Sequence, residues 1–510
     1  MKTPSLKINI LSSYIISQVY IIFISIFILP FYIKYMGAEA YGLVGFFAML
    51  QGVFALLDFG LRPTISRQTA QYNGGSLSKL DFRRLFRALN IIFIFIAVLG
   101  GLILLILSKK IVSDWLKIEN LTPSDVLFAV QIMAISVCLR WMTGLFRGVI
   151  SGFEKIVWLS VVNSLIATLR FPLVLVYMYY FGFTVRSFFV YQLFVALLEF
   201  SLYSLKSYRL LPRLNTNENI GWSLKPIRPI IGFALSVAFT SSVWIIITQL
   251  DKFVLSGILT LSEYGYFSLA VLVSAGVLQI SAPISGSIMP RMAKLQAEKK
   301  FEEIRKIYLN STQFVSVVVV TAGIVLAGVA EPFLFAWTND IDLAKNAAPI
   351  LTLYALGNAL LALSAFPYYL QYTKGNLKNH LIGNIILVLT LIPMIIWAAI
   401  NYGGVGAGWV WLITQAIYLV FWVSYVHIKI EPRINIEWFK SFLPSLISVY
   451  IFIALFSSWL TLEESRLIII LKISILSLLS IVISIFSSRN VFRGVRKKLI
   501  YKKDLLSKLK

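Results

Sequence analysis

Residues Ile91–Ser108 read IIFIFIAVLGGLILLILS, eighteen consecutive positions without a charge or a proline. They are the centre of an apolar run from about 86 to 108. As a helix, such a run crosses a hydrocarbon layer about 30 Å thick, which takes about 20 residues. Outward from it, comparable runs lie at about 9–33, 41–66, 124–148, 156–180, 185–206, 228–250, 264–290, 307–330, 347–372, 379–400, 404–427, 441–460 and 466–487, about fourteen in all. Hydrophobic residues make up 59% of the 510 positions and charged residues 13%, more apolar sequence than a soluble core absorbs. A membrane barrel needs alternating segments of about ten residues, and these runs are solid. Helices satisfy their own backbone hydrogen bonds in lipid, so the expected class is an all-α integral membrane protein.

The net charge of +24 would suit a nucleic-acid binder, but its placement argues for a membrane. With the N-terminus on the cytoplasmic side, 35 of the 46 Lys and Arg fall in cytoplasmic segments and eight on the other side. Short loops rich in positive charge stay inside, so both termini are expected in the cytoplasm and the number of spans should be even. The run at 9–33 is too long for a cleaved signal peptide and is expected to be a span. Nine basic residues between Arg489 and Lys510 are expected to hold orientation and touch anionic headgroups. The lone Cys138 and the two histidines, His380 and His427, offer no disulfide and no metal site, and nothing calls for a cofactor.

The longest internal hydrophilic stretch, about Lys206 to Arg228, separates six spans from eight. The expected organisation is therefore an N-terminal bundle at 1–212, a cytoplasmic linker at 213–227, a second bundle at 228–430, and two further helices with a basic tail at 431–510. A weak echo accompanies the split. Tyr41-Gly42 opens the second span and Tyr264-Gly265 the eighth, each followed by an arginine (Arg67, Arg291) 26 or 27 residues on.

Charges deep in spans carry the functional signal, because each costs at least about 2.5–3.5 kcal/mol near mid-bilayer unless it faces protein or water. Arg140 and Arg170 sit two or more turns from either end of their spans, and Asn163 shares a helical face with Arg170. Guanidinium groups grip phosphate oxygens in pairs, so these residues are candidates for an anionic, phosphate-bearing guest, with Asn163 and Lys252 as further contacts. Asp58 precedes Arg62 by one turn and could either staple the helix near the headgroups or serve a gate. Glu199, two turns from its span's end, could reach the interface or pair with an arginine. Asp251 ends the seventh span beside Lys252. Asp58, Arg62, Glu199 and Asp251 are the candidates for ion coupling or gating. No nucleotide-binding loop, nucleophile elbow or metalloprotease motif appears, and no enzyme activity is expected.

Leu29-Pro30-Phe31-Tyr32, Met36-Gly37-Ala38-Glu39-Ala40-Tyr41-Gly42, Leu57-Asp58-Phe59-Gly60-Leu61 and Ser66-Arg67 resemble the start of the Wzx-type polysaccharide flippases. Gln249-Leu250-Asp251-Lys252-Phe253, Glu263-Tyr264-Gly265-Tyr266 and Met289-Pro290-Arg291 resemble the start of that family's second bundle. The resemblance implies a MATE-like fold, with two six-helix bundles around a central cavity and here two extra C-terminal helices. It also implies a substrate: an undecaprenyl-diphosphate-linked oligosaccharide moved to the outer leaflet of a bacterial inner membrane for O-antigen, capsule or exopolysaccharide assembly. The implied partners are that lipid-linked anionic oligosaccharide, membrane lipids and an H+ or Na+ gradient, with no nucleic acid. An exporter of small organic cations on the same fold is the alternative, opposed by two deep arginines. A membrane glycan polymerase or acyltransferase is a more distant one, lacking an evident catalytic histidine or carboxylate pair and a large outer loop.

Overall fold

The computed structural model describes residues 4–213 and 219–488. The linker residues 214–218 and the basic tail from Arg489 lie outside the described residues. The described residues are predominantly helical, and thirteen segments among them are long and apolar enough to cross a membrane. One of them, at 378–430, is 53 residues long and is broken at Gly403 (φ 57°, ψ −143°), so it accounts for two crossings and the total is the expected fourteen. Large apolar side chains face outward, Ile106 being 77% exposed and Leu467 75%, while Arg140, Glu199 and His427 are buried. That inverts a soluble fold, as lipid requires.

Two compact units divide the chain, Met1–Gly265 and Tyr266–Lys510. The first carries the seventh span as well as the first six, so this division falls later than the linker.

In the first unit, α1 (Pro4–Phe27) and α2 (Leu29–Met36) form one crossing, jointed where Pro30 takes a first-turn position. The next crossing departs from the uninterrupted helix expected over 41–66. α3 (Ala38–Phe54) tightens into a 3-10 turn at Ala55–Asp58, and Phe59 (φ 45°) and Gly60 (φ 69°) are both left-handed. α4 (Leu61–Asn73) then starts afresh. A side chain at Gly60 would put its Cβ 2.3 Å from Ala234 O, so glycine serves both the turn and the packing. α5 (Lys79–Lys110) begins with a reciprocal cap: Ser78 Oγ accepts from the Asp81 N–H at 3.1 Å and donates to its carboxylate at 2.6 Å.

α6 (Pro123–Gly152) packs on α4 through Gly144, Gly148 and Gly152, where added Cβ atoms would lie 2.0 Å from Arg62 Nε, 2.6 Å from Ile65 Cγ2 and 2.4 Å from Thr69 Cβ. Small residues four apart let two membrane helices approach closely. α7 (Ile156–Arg170) and α8 (Pro172–Phe181) make one kinked crossing, because Pro172 has no N–H to continue the ladder. α9 (Val185–Leu210) and α10 (Ile231–Ser256) complete the unit. The echoing dipeptides meet in space: a Cβ on Gly42 would lie 2.0 Å from Leu261 O, and one on Gly265 2.5 Å from Ala38 O.

The second unit takes in most of α11 (Leu261–Ala297). It continues with α12 (Phe301–Val315), α13 (Thr321–Gly328) and the short α14 (Ala330–Thr338), then α15 (Ile341–Ser364) and α16 (Phe366–Thr373), jointed at Pro367. α17 (Lys378–Ile417), α18 (Val423–Ile430), α19 (Pro432–Phe456) and α20 (Arg466–Ser487) follow. The last two helices are integral to this unit. Trp438 of α19 is buried and donates from Nε1 to Thr312 Oγ1 at 3.0 Å, and buried His427 bridges Tyr308 (2.6 Å) and Asn435 (3.2 Å). α20 packs against α13, α14 and α19.

Candidate functional site

The first unit gathers charge in its membrane interior. Arg140 projects from α6 and is 8% exposed, as is Glu199 of α9. Its Nη2 donates to Gln192 Oε1 at 2.8 Å, its Nη1 reaches Gln51 Oε1 at 3.4 Å, and its Nε lies 3.9 Å from Glu199 Oε2. The guanidinium also stands 5.1 Å from the Phe47 ring centroid. Gln51 Oε1 accepts a second bond from Arg170 Nη2 at 3.1 Å, so one amide oxygen joins both arginines. Gln192 and Glu199, seven residues apart on α9, reach the cluster from one helical face.

Arg170 ends α7 at the Pro172 kink, and side chains take up carbonyls there. Gln192 Nε2 donates to Arg170 O at 2.9 Å, and buried Tyr32 donates from its hydroxyl to Phe171 O at 2.7 Å. The kink therefore holds Arg170 in place without spending its guanidinium.

The two arginines, alike in the sequence, differ in the fold. Each guanidinium has five N–H donors. Arg140 has three bonds to glutamines and a carboxylate close by, though its buried Nε lacks a hydrogen-bond partner. Arg170 is half-buried and, among the described residues, donates one side-chain hydrogen bond. Two guanidinium charges face one carboxylate, which leaves the cluster cationic and favours an anion.

The other expected residues fall elsewhere. Asn163 does not contact Arg170; its Oδ1 accepts from Tyr203 at 2.5 Å and from Arg147 Nη2 at 2.9 Å. Arg147 gives no signal in the sequence because it lies near the end of its span, although it follows Arg140 by seven residues, the spacing shared by Asn163 and Arg170. Asp58 does not sit one helical turn before Arg62, since the Phe59–Gly60 break intervenes. Its Oδ1 instead caps the restarted helix at the Arg62 N–H and pairs with Arg62 Nε, both at 3.3 Å, while Arg62 Nη2 donates to Trp141 O at 3.2 Å. Asp251 and Lys252 pair at 3.2 Å, with Lys252 Nζ also donating to Thr248 O at 2.5 Å. Gln51 and Tyr32 were not anticipated, because neutral side chains give no signal in a span. No group of three or more potential metal ligands occurs among the described residues.

Comparison with known proteins agrees with this architecture. A family described as "Polysaccharide biosynthesis protein" matches residues 9–296. A Shigella flexneri protein named "Putative O-antigen transporter" is 19% identical over 389 residues, 76% of this chain and 89% of that protein. Among solved structures, the lipid II flippase MurJ in an inward closed conformation superposes with a TM-score of 0.71 at 14% identity, covering 95% of this chain and all of that one. An inward-facing multidrug resistance MATE family transporter of the MOP superfamily gives 0.64 at 14% identity, covering 82% of this chain and 95% of that one. These likenesses establish a multi-pass helical membrane fold of the MurJ and MATE type. With the family profile spanning more than half of its length, the chain belongs to the polysaccharide biosynthesis protein family of membrane proteins.

Proposed function

We propose that this protein is a flippase that carries an undecaprenyl-diphosphate-linked oligosaccharide from the cytoplasmic to the outer leaflet of a bacterial inner membrane, supplying O-antigen, capsule or a related surface polysaccharide. The observation that carries the reading is the cationic Arg140–Gln51–Arg170 cluster, with Arg140 buried and Arg170 half-buried. A cluster of this sign suits a diphosphate and disfavours an organic cation. The family membership, the Shigella relative and the MurJ-like fold support the same substrate class. The bias of Lys and Arg supports cytoplasmic termini.

Arg170, with donors to spare, binds the phosphate oxygens directly. Arg140, held by Gln192 and Glu199, supplies field and positions Gln51. The sugar follows the headgroup while the polyprenyl tail stays in lipid. Among the acidic candidates for coupling to an ion gradient, Glu199 is the one that belongs to the cluster, 3.9 Å from Arg140 Nε. Asp58 and Asp251 each hold a cation of their own, and Asp58 also serves the joint between α3 and α4.

The test is reconstitution into liposomes carrying a fluorescent undecaprenyl-diphosphate sugar, with a membrane-impermeant quencher reading leaflet exchange. Wild-type protein should accelerate exchange over empty vesicles, and Arg170→Ala should slow it at least about tenfold, since one charge-assisted hydrogen bond is worth about 1.5–3 kcal/mol. Exchange no faster than in empty vesicles, together with proton-driven efflux of an organic cation, would assign the protein to drug export instead.

A further inference from the structure

Beside the N-terminus of α5 lies a second concentration of positive charge, which the translocation site does not use. The described part of the linker and the residues that follow it, Asn219 to Ile230, cross the start of that helix and are pinned there. Arg84 Nη2 donates to Asn219 O and Arg87 Nη2 to Ser223 O, both at 3.0 Å. Between this strap, α4 and α5 is a cavity of about 750 Å³. Its charged lining is Arg67, Arg84, Arg87 and Lys225 against a single carboxylate, Asp81, which the Ser78 hydroxyl already engages. The remaining walls are largely aliphatic and include Leu77, Leu85 and Pro226.

Three further features bear on what fills it. Arg87 Nε is buried and has no hydrogen-bond partner. Trp222 is 84% exposed and its ring centroid is 5.5 Å from the Arg87 guanidinium. Phe233, also exposed, lies 4.4 Å from the Arg67 guanidinium. Exposed aromatic rings beside cations, where an apolar helix leaves the membrane, are found at the level of lipid headgroups. Four cations over an aliphatic floor match a ligand that is anionic at one end and apolar at the other.

We propose that this pocket binds the phosphate of a membrane lipid headgroup, clamping the strap between the bundles to the membrane surface. The chemistry is that of a lipid-borne phosphate, whether the lipid is a bulk anionic phospholipid or the polyprenyl carrier. The inference does not rest on the flippase reading.

The test uses the full chain in nanodiscs, in a Cys138→Ser background with Ser223→Cys, and follows labelling of the new thiol by a water-soluble maleimide. Discs of phosphatidylcholine set the reference rate. Inclusion of phosphatidylglycerol or of undecaprenyl diphosphate should slow labelling at least fivefold. Protection by phosphatidylglycerol assigns the site to bulk anionic lipid, and protection by undecaprenyl diphosphate alone assigns it to the carrier. Arg67→Gln with Lys225→Gln, which spares the two arginines that hold the strap, should raise the lipid fraction needed for protection roughly 25-fold, about fivefold per cation near an anionic surface. Equal labelling in all three discs would overturn the proposal. So would equal protection by inorganic pyrophosphate added to phosphatidylcholine discs, which would mark a site for soluble phosphate.

Discussion

Replacing Glu199 by alanine should destabilise the first unit far more than replacing the whole ion pair. Arg140 Nε lies 3.9 Å from Glu199 Oε2, and both residues are 8% exposed. At that separation, with an effective dielectric constant of about 20, the attraction is about 4 kcal/mol. Removing the carboxylate leaves a buried guanidinium whose other partners, Gln192 and Gln51, are neutral. Breaking a buried pair in this way costs about 3–5 kcal/mol, in agreement with the Coulomb figure. Glu199→Ala should therefore lose about that much, whereas Arg140→Met with Glu199→Leu, of similar volume and without charge, should lose less than about 1.5 kcal/mol. The assay is reversible unfolding in mixed micelles titrated with SDS, with wild type, Glu199→Ala, Arg140→Met and Arg140→Met with Glu199→Ala as the four corners of a double-mutant cycle, and Arg140→Met with Glu199→Leu measured beside them. Losses that simply add, or a Glu199→Ala variant within about 0.5 kcal/mol of wild type, would show that Glu199 does not hold Arg140. The double variant should fold and yet fail to exchange lipid-linked sugar, which separates the role of the charge from its contribution to stability.

Three other expectations concern contact with phosphate, helix packing and topology. Arg170→Lys should retain folding but restore transport only in part, since an ammonium cannot reproduce two-pronged contact with phosphate; full activity in the exchange assay would remove that contact from the mechanism. Gly152→Leu should fail to accumulate in the membrane, or unfold at much lower SDS, because its Cβ alone would stand 2.5 Å from the backbone Ser66 O and part α6 from α4; normal yield and stability would show that the helices are not closely apposed there. Reporters fused after Asn219 and after Asn339 should report the cytoplasm and the outer side respectively, and the reverse result would invert the assigned orientation.

Within the site, sequence and structure part ways at identifiable residues. Arg140 and Arg170 are visible because a charge amid twenty apolar residues is improbable unless it has a partner. Of their partners, Glu199 is legible as a carboxylate able to pair with an arginine, with Gln192 seven residues before it. Gln51 is not: a neutral amide could equally face a neighbouring helix or a headgroup, and only the rotation of α3 about its axis turns it toward the arginines. The sequence reads Asp58 and Arg62 as one helical turn, because nothing in Leu57-Asp58-Phe59-Gly60-Leu61 forces a break except a single glycine. The left-handed Phe59 is sustained by α10, whose backbone at Ala234 and Ala238 approaches Gly60. Asn163 shares a face with Arg170 as expected, but a face is a stripe several turns long, and Tyr203 and Arg147 meet it first.

Taken alone, the amino-acid order determines that this chain crosses a membrane about fourteen times, for a reason that needs no tertiary contact. Each crossing is a local match between an apolar length and the thickness of the hydrocarbon layer, and each loop's charge acts locally. Tertiary structure alone decides which arginine is spoken for and which has donors to spare, and where the strap formed by the linker lies over its cations. Those outcomes depend on helices approaching at particular rotations, and residues as far apart as Gln51 and Arg170, or Arg87 and Ser223, become partners only once the helices between them have packed.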